Sequence, residues 1–284
     1  MEAKTAGILY MCGTPIGNLE DMTLRSIRVL KEVDLIAAED TRNSIRLLNH
    51  FEIHTPMTSY HEFNKIEKAH QLVDRLLAGE NIALITDAGM PGISDPGEEL
   101  VQIAYEAGIE VTVLPGPTAC ISALALSGLS TRRFCFEAFL PKDKKLRKTI
   151  LEEMARETRT IVLYESPHHL KATLPELLDA LGNRKITLCR ELTKVHEEAF
   201  RTTIAEAMAY YEDNDPRGEY VLVIAGRDFS EIEEEKRLAF ADLSIEEHVA
   251  QYEEKGMSHK EAMKAAAKDR GVSKRDIYQA LLKK

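Results

Sequence analysis

The sequence lacks several features that would assign it to a familiar class of protein. No apolar run approaches the roughly 20 residues needed to cross a bilayer, and the run near Met1 is too short for a signal peptide. The four cysteines form no C-x-x-C pair, so neither a zinc knuckle nor a disulfide framework is indicated. These absences predict a cytoplasmic protein whose thiols, at Cys12, Cys120, Cys135 and Cys189, are reduced and buried.

An excess of positive charge is also absent, because 37 Lys and Arg stand against 47 Asp and Glu, a net charge of -10. Unselective coating of nucleic acid is therefore disfavoured, since phosphate binding draws on clustered Lys and Arg. The average conceals an asymmetry: residues 255–284 hold nine basic residues against three acidic ones. This basic tail is a candidate RNA-facing surface.

The length of 284 residues favours two domains over one. Short runs rich in Ile, Leu and Val alternate with segments of helical period, which is typical of strands and crossover helices in a mainly parallel sheet. We predict one α/β domain over residues 1–130 and a second over 131–230, with the break at a Gly-Leu-Ser-Thr turn. No internal repeat or low-complexity tract is present.

The pattern also predicts the individual elements of these two domains. Strands are expected at residues 8–11, 34–38, 82–86, 111–114, 134–139, 160–164, 186–189, 199–203 and 220–225. Helices are expected at residues 24–30, 45–51, 69–77, 100–107, 119–126, 170–181 and 204–211. Between 142 and 147 the sequence shows only a basic run.

Beyond an acidic segment at residues 231–236, which we expect to be a linker, a small helical appendage is predicted over 240–284. Ser258 and Ser273 stand where N-caps are expected, each with an acidic residue three positions later that completes a capping-box pattern. Three short helices follow from this punctuation: residues 245–254, 260–268 and 274–282.

Three loops rich in Gly and Pro follow predicted strands, at residues 13–19, 87–97 and 115–119. In an open α/β sheet, ligands bind at the carboxyl ends of the strands. The loops match neither the phosphate-binding G-x-x-x-x-G-K-[ST] nor the dinucleotide G-x-G-x-x-G. Asp87 or Asp95 is suited to ribose hydroxyls or an ammonium group, although an Asp there more often caps the next helix.

Taken in order, eight stretches of the chain resemble the tetrapyrrole methylase superfamily, and within it the enzymes that 2'-O-methylate a cytidine of small-subunit ribosomal RNA. The stretches are GTPIGNLEDMTLR from Gly13, AEDTRNS from Ala38, DAGMPGISDPG from Asp87, LPGPTA from Leu114, FEAFLPK from Phe136, YESPHH from Tyr164, CRELTK from Cys189 and GEYVLVIAG from Gly218. The resemblance implies two α/β domains of the tetrapyrrole methylase type with S-adenosyl-L-methionine in the cleft between them. It also implies a homodimer.

The same resemblance implies which residues contact the cofactor. From the three loops they are Pro15, Gly17, Asp87, Ala88, Gly89, Ser94, Asp95, Thr118 and Ala119. From the second domain they are Tyr164 and Ala225. One departure stands out, because YESPH is more often followed by Arg, whereas this chain has His169. Any phosphate contact of that Arg is then weakened, or passes to Arg190 or Lys171.

Methyl transfer from a sulfonium to a ribose hydroxyl is an in-line displacement, in which positioning supplies up to roughly 7–11 kcal/mol. A base that removes the hydroxyl proton adds about 10² to 10⁴ in rate. The sulfonium provides the electrophilic activation, so no metal is expected. The candidate bases, in order, are Asp40, Glu165 and His168, with Glu39 and His61 also in view. For each of them a salt bridge, a cap or a satisfied histidine is an equal alternative.

RNA has to be held by local positive charge, although charge runs are usually solvated faces. The candidate contacts are Arg42, Arg133, Lys142, Lys145, Arg147, Lys264, Lys274 and Arg275. The resemblance implies 16S ribosomal RNA or the 30S subunit as the partner. Readout of a single nucleotide requires accessible bases, which a loop or an assembled particle offers and a plain duplex does not. Two alternatives remain: methylation of a tetrapyrrole-like small molecule, and a non-catalytic ribosome-assembly factor. Intact glycines and prolines in all three loops argue against the second alternative.

Overall fold

The computed structural model contains two α/β units followed by three helices, which confirms the predicted fold class. It describes residues 5–228, 230–231, 234, 238, 240 and 243–282. The expected acidic linker at residues 231–236 lies largely outside the described residues. No helix in the described ranges has the length and apolarity that a bilayer crossing requires.

The first unit alternates strands and helices along the chain. Its strands are β1 (Ile8–Cys12), β2 (Leu35–Ala38), β3 (Met57–Ser59), β4 (Ile82–Ile85) and β5 (Glu110–Leu114). Its helices are α1 (Leu24–Glu32), α2 (Thr41–His50), α3 (Lys65–Leu77), α4 (Gly97–Glu106) and α5 (Ala119–Ser127). All strand pairs are parallel, in the order β3-β2-β4-β1-β5. The predicted parallel sheet is confirmed.

The register explains where the loops of this unit gather. Leu9 on β1 pairs with Ile82 on β4 and with Val111 on β5, so β1 lies between them. Because parallel strands all end at the same edge, the loops after β1, β4 and β5 emerge side by side. Strands β2 and β4 are buried throughout, as expected at the centre of a parallel sheet covered on both faces.

The second unit has a mixed sheet. Its strands are β6 (Phe134–Phe139), β7 (Thr160–Glu165), β8 (Lys185–Arg190), β9 (Glu198–Thr203) and β10 (Tyr220–Ile224). Its helices are α6 (Lys144–Arg156), α7 (Pro167–Leu181) and α8 (Ile204–Asp213). In the order β6-β7-β10-β8-β9, only β6 and β7 are parallel. Tyr220 pairs with Glu165, so β10 begins at the edge where β7 ends.

Helix α5 connects the two units. It follows the first sheet in sequence, yet its apolar face packs on the second sheet, where Ala123 and Leu124 share a core with Val162 and Val223. Full burial of a Leu or Val side chain contributes about 1.5–3 kcal/mol. The boundary at residue 131 stays a prediction, and this packing associates α5 with the second unit.

The appendage consists of α9 (Ile245–Glu254), α10 (His259–Arg270) and α11 (Lys274–Leu282). Both predicted caps are present: the Ser258 N–H donates to Glu261 at 3.1 Å, and the Ser273 N–H donates to Asp276 at 2.9 Å. Gly271, at φ 62°, ends α10 in the left-handed region. The three helices share a small core of their own: Val249, Ala262, Met263, Ala266, Ala267 and Ile277.

Candidate active site

A cavity of about 540 Å³ lies between the two α/β units, within the usual range for small-molecule sites. The first unit contributes the loops after β4 and β5, together with Ile16 from the loop after β1. The second unit contributes the end of β7, the beginning of β10 and residues near the end of β8. The cleft expected between two α/β units is therefore present.

The three Gly- and Pro-rich loops touch one another at this cavity. Thr14 and Gly89 exchange two backbone hydrogen bonds, at 2.9 and 3.1 Å, which join the first loop to the second. A Cβ added at Gly13 would lie 2.8 Å from the Cα of Gly116, so the first and third loops are also in contact. Glycine is required at both positions because the two backbones approach too closely for a side chain.

Asp95 organises the second loop. Its carboxylate accepts hydrogen bonds from the Gly92 N–H at 2.7 Å and from the Gly97 N–H at 2.9 Å. Burial raises the pKa of Asp95, against the opposing effect of these two bonds. Gly97 is the first residue of α4 and Pro96 is its N-cap, so Asp95 binds the start of the helix from one position before the cap. Ser94 beside it has φ +66°, a strained value for a residue other than glycine.

Asp87 has a different role, because its partners come from α2. Its carboxylate accepts from the Asp40 N–H at 3.2 Å and from the Asn43 side-chain amide at 2.9 Å. Glu39, which also lines the cavity, accepts from the Thr86 hydroxyl at 2.6 Å. Two carboxylates from neighbouring strand ends are therefore held in fixed orientations at the cavity wall.

The opposite wall is built around Tyr164 and Glu165 at the end of β7. The Tyr164 hydroxyl accepts from the Cys120 N–H at 3.3 Å, and burial raises the pKa of this phenol. Glu165 is buried and accepts from the Ser166 N–H at 2.7 Å and from the Thr173 hydroxyl at 2.5 Å. Ser166 lines the cavity, but its hydroxyl is buried away from the open space and has no hydrogen-bond partner in the described chain.

The candidate bases differ in their suitability. Asp40 does not line the cavity; it caps α2, and the hydrogen bonds and ion pair with Arg42 lower its pKa to about 2. So low a pKa makes a weak base. His168 is exposed in the first turn of α7 and is not a lining residue. Glu165 lines the cavity, and among the three it alone is placed to act on a ligand there.

The expected cofactor residues fall into three groups. Most line the main cavity: Asp87, Ala88, Gly89, Ser94, Asp95, Thr118, Ala119 and Tyr164. Pro15 and Gly17 instead line a second, adjoining cavity of about 380 Å³. Ala225 lies outside both, in a third cavity of about 310 Å³ that also contains Arg133. The cause is strand direction: β10 begins at the cleft, so the residue after its end lies at the opposite edge of the sheet.

Lys194 at the cavity wall was given no role from sequence. Its ammonium pairs with Glu191 at 3.0 Å and Glu219 at 2.9 Å. The pKa of Lys194 is raised overall. Partial burial acts to lower it, but the hydrogen bonds to Glu219 and Glu191 outweigh that effect. Glu191 and Thr193 beside it have φ values of +52° and +66°. Strain of this kind, about 1–3 kcal/mol per residue, persists mainly at functional sites. The one sequence signal was the CRELTK stretch.

A sequence model of the family described as Tetrapyrrole (Corrin/Porphyrin) Methylases matches residues 8–208. The chain belongs to this family. Relatives from Halalkalibacterium halodurans, Synechocystis sp. and Bacillus subtilis are 50%, 48% and 47% identical to it. They cover 96%, 97% and 96% of this chain and 93%, 98% and 94% of their own lengths. Each is named ribosomal RNA small subunit methyltransferase I, so the resemblance found in the eight stretches is confirmed.

Solved structures share the fold at low sequence identity. Uroporphyrin-III-C-methyltransferase from Thermus thermophilus aligns with a TM-score of 0.56 and 19% identity, over 77% of this chain and 94% of its own. Diphthine synthase aligns with a TM-score of 0.61 and 13% identity, over 80% of this chain and 94% of its own. At such identities the comparison establishes the two-unit methylase fold and nothing about substrate.

A methylase of this family implies S-adenosyl-L-methionine, and the main cavity suits that molecule. Its sulfonium and ammonium groups are cationic, and the lining carboxylates outnumber the single lining cation, Lys194, which is already paired. The lining carboxylates are Glu39, Asp87, Asp95, Glu165 and Glu219. Among the described residues no cluster of His, Cys, Asp and Glu could hold a metal ion.

The basic residues expected to contact RNA fall into two groups, those in ion pairs and those that are exposed. Arg147 faces inward, where it pairs with Glu176 at 2.6 Å and donates to the Thr173 hydroxyl at 2.9 Å. Arg42 pairs with Asp40 at 2.8 Å. The others are exposed, apart from the half-buried Lys274: Arg133, Lys142, Lys145, Lys264 and Arg275. The two possible substitutes for the family Arg are both ion-paired, Arg190 with Glu198 and Lys171 with Asp215, each at 2.9 Å.

Proposed function

We propose that this methylase uses S-adenosyl-L-methionine to methylate the 2'-oxygen of a cytidine ribose in 16S ribosomal RNA. The observation that carries the proposal is the near full-length similarity to three relatives named ribosomal RNA small subunit methyltransferase I. It is supported by an acidic cavity between the two units and by the exposed residues Lys142 and Lys145, which follow the lining residue Phe139 in the chain. An RNA substrate of this kind implies a location in the cytoplasm.

In this proposal the loops of the first unit hold the cofactor. Asp87 is oriented by α2 and receives a cationic or hydroxyl group, while Thr118 and Ala119 offer a flat surface of small residues. Tyr164 and Ser166 line the opposite wall. When bound, the cofactor supplies a methyl group on a positively charged sulfur.

We assign proton removal to Glu165. Its carboxylate lines the cavity and is held by the Ser166 N–H and the Thr173 hydroxyl, so its orientation is fixed before substrate arrives. Arg147 donates to the same Thr173 hydroxyl and steadies it from behind. Each of the two carboxylate oxygens of Glu165 keeps a further lone pair, and one of these can accept the ribose hydroxyl proton. A base in this position contributes about 10² to 10⁴ in rate.

RNA approaches over basic surface next to the cleft. Phe139 lines the main cavity and is 56% exposed, and the chain continues from it into the exposed residues Lys142 and Lys145. On the appendage, Lys264 and Arg275 are exposed as well. The acidic cavity repels phosphates, so the backbone binds outside while one nucleotide enters.

We also propose that the protein is a homodimer, as the family resemblance implies. Three large apolar side chains that a dimer interface could cover are highly exposed: Phe63 at 97%, Val195 at 96% and Leu24 at 86%. Sedimentation velocity should give a mass near twice the 31.9 kDa of the chain.

The decisive experiment measures transfer of labelled methyl from S-adenosylmethionine to small ribosomal subunits that lack the modification, followed by nucleoside analysis. We expect 2'-O-methylcytidine as the labelled product. Subunits already modified serve as the control and should take up no label. Label in a porphyrin precursor, with none in RNA, would replace the proposal by small-molecule methylation. Binding of the cofactor without any transfer would favour an assembly factor.

A further inference from the structure

The second cavity, of about 380 Å³, is placed where a second substrate would have to lie. It shares Ile16, Asp87, Ala88, Lys194 and Glu219 with the main cavity, so the two spaces have one common wall. Direct transfer of a group requires the reacting atoms to come within about 3–3.5 Å. The third cavity shares no lining residue with the main one and does not meet this condition.

The chemistry of the second cavity differs from that of the first. Arg46 on α2 is exposed at its wall, and no described carboxylate pairs with it. A free guanidinium is the side chain best matched to a phosphate group. Apolar surface from Pro15, Leu19 and Leu47 stands beside it. The cavity also contains Asp87, Glu219 and Lys194 from the wall that it shares with the main cavity. Arg46 and the apolar surface, on the other side, suit a nucleotide, whose phosphate is anionic and whose base is flat.

The common wall is formed by an unusual contact between the two units. A Cβ added at Gly17 would lie 2.4 Å from the Lys194 Cγ and 3.0 Å from the Thr193 Oγ1. The first loop therefore packs directly against the strained segment that carries Lys194. The Lys194 side chain is 30% exposed and lines both cavities. Its ammonium is held in a defined position by Glu191 and Glu219.

We propose that the second cavity binds the acceptor nucleotide of the RNA, with the Arg46 guanidinium on the phosphate beside the reacting ribose. This inference rests on the proposed function and assigns its second substrate. It gives Pro15 and Gly17 to the acceptor rather than to the cofactor. The ribose hydroxyl then extends past Lys194 and Asp87, which line both cavities, into the main cavity, where Glu165 lies.

The test compares Arg46→Ala with wild type and with Lys31→Ala, which removes a charge from an exposed position of α1 outside all three cavities. Labelled transfer to unmodified small subunits gives KM and kcat, and calorimetry gives S-adenosylmethionine affinity. A charged hydrogen bond contributes enough that the RNA KM of Arg46→Ala should rise about 10-fold to 100-fold. Cofactor affinity should stay within about twofold, and Arg46→Lys should recover part of the loss.

Fluorescence anisotropy with a short labelled RNA that contains the target loop separates the two proposals. If wild type transfers methyl to RNA and all variants share its KM, the acceptor site is elsewhere and the proposed function stands. If wild type transfers no methyl but Arg46→Ala binds RNA more weakly than Lys31→Ala, the nucleotide site is supported and the reaction is not. If Arg46→Ala lost cofactor affinity by as large a factor as its RNA KM rises, the assignment of Arg46 to the nucleotide would also be overturned.

Discussion

Substitution of Gly13 by alanine should weaken cofactor binding more than it weakens the fold. The new Cβ would lie 2.8 Å from the Gly116 Cα and 3.0 Å from its nitrogen, and these backbone atoms cannot rotate away. Carbon atoms in contact normally stay about 3.5–4.0 Å apart, so one loop has to withdraw by roughly 1 Å. The Met90 sulfur, 2.7 Å from the Cβ, can move because it ends a flexible side chain.

Forced overpacking of this kind costs about 1–3 kcal/mol. If the strain falls on the loop arrangement that binds the cofactor, affinity drops about 5-fold to 150-fold, since 1.4 kcal/mol corresponds to a factor of ten. Isothermal titration with S-adenosylmethionine measures the affinity, and thermal unfolding of the free protein measures the cost to the fold.

Gly108→Ala provides the matched control for Gly13→Ala. A Cβ at Gly108 meets nothing within 4 Å, although φ of +72° makes any side chain there unfavourable. Gly108→Ala should lower the free energy of unfolding by about 1–2 kcal/mol, the cost of a left-handed alanine, and so lower the melting temperature, while cofactor affinity stays unchanged. Wild-type affinity in Gly13→Ala, or an equal affinity loss in Gly108→Ala, would refute the contact between loops as the basis of binding.

Three further predictions concern the proposed base Glu165, the ion pair between Arg42 and Asp40, and the helical appendage. Glu165→Gln should lower kcat about 10² to 10⁴-fold with cofactor affinity retained, and an unchanged kcat in the transfer assay would exclude Glu165 as the base. Arg42→Ala should raise the pKa of Asp40 from about 2 towards its ordinary value, measured by NMR titration; no change would mean that Arg42 is not its partner. Because the folded pKa is depressed, this pair favours folding above the ordinary value and loses that contribution as pH falls towards 2. Deletion of residues 240–284 should weaken RNA capture, seen as a raised KM, and leave cofactor affinity intact, because α9 to α11 have a separate core; equal loss of both would make the appendage structural.

The parallel sheet and the three loops could be predicted because each apolar strand is followed at once by glycine and proline. Helix starts were harder to place. Residues 45–51 were expected as a helix, whereas α2 begins at Thr41 behind the cap Asp40. Its first turn is polar, so the apolar period begins one turn late. Helix α6 was not predicted for the same reason, because its lysine-rich beginning resembles a solvated run. Strand β3 was not predicted because it has only three residues.

Other features of the site depend on strand direction and pairing, which the sequence pattern does not reveal. Ala225 was expected at the cofactor from its position in a matching stretch, but β10 runs antiparallel to β7 and carries it away. Arg147 lies in a basic run, yet its guanidinium finds Glu176, a residue 29 positions further along the chain. A basic residue pairs with an internal partner only once the helices have packed. Counting basic residues in the sequence therefore overestimates how many of them are available to contact RNA.

In the proposed reaction, a separation of charge lets one acidic protein bind two substrates of opposite sign. The cavity that suits a cationic cofactor is lined by carboxylates, and these would repel a phosphate. Arg46 stands in the adjoining cavity, on the far side of the wall that contains Lys194. The ammonium of Lys194 offsets only part of the negative charge of its partners Glu191 and Glu219. In the proposed arrangement the Arg46 guanidinium is therefore the cation that draws an anionic nucleotide to the second cavity, against the repulsion of Asp87 and Glu219, which line both cavities.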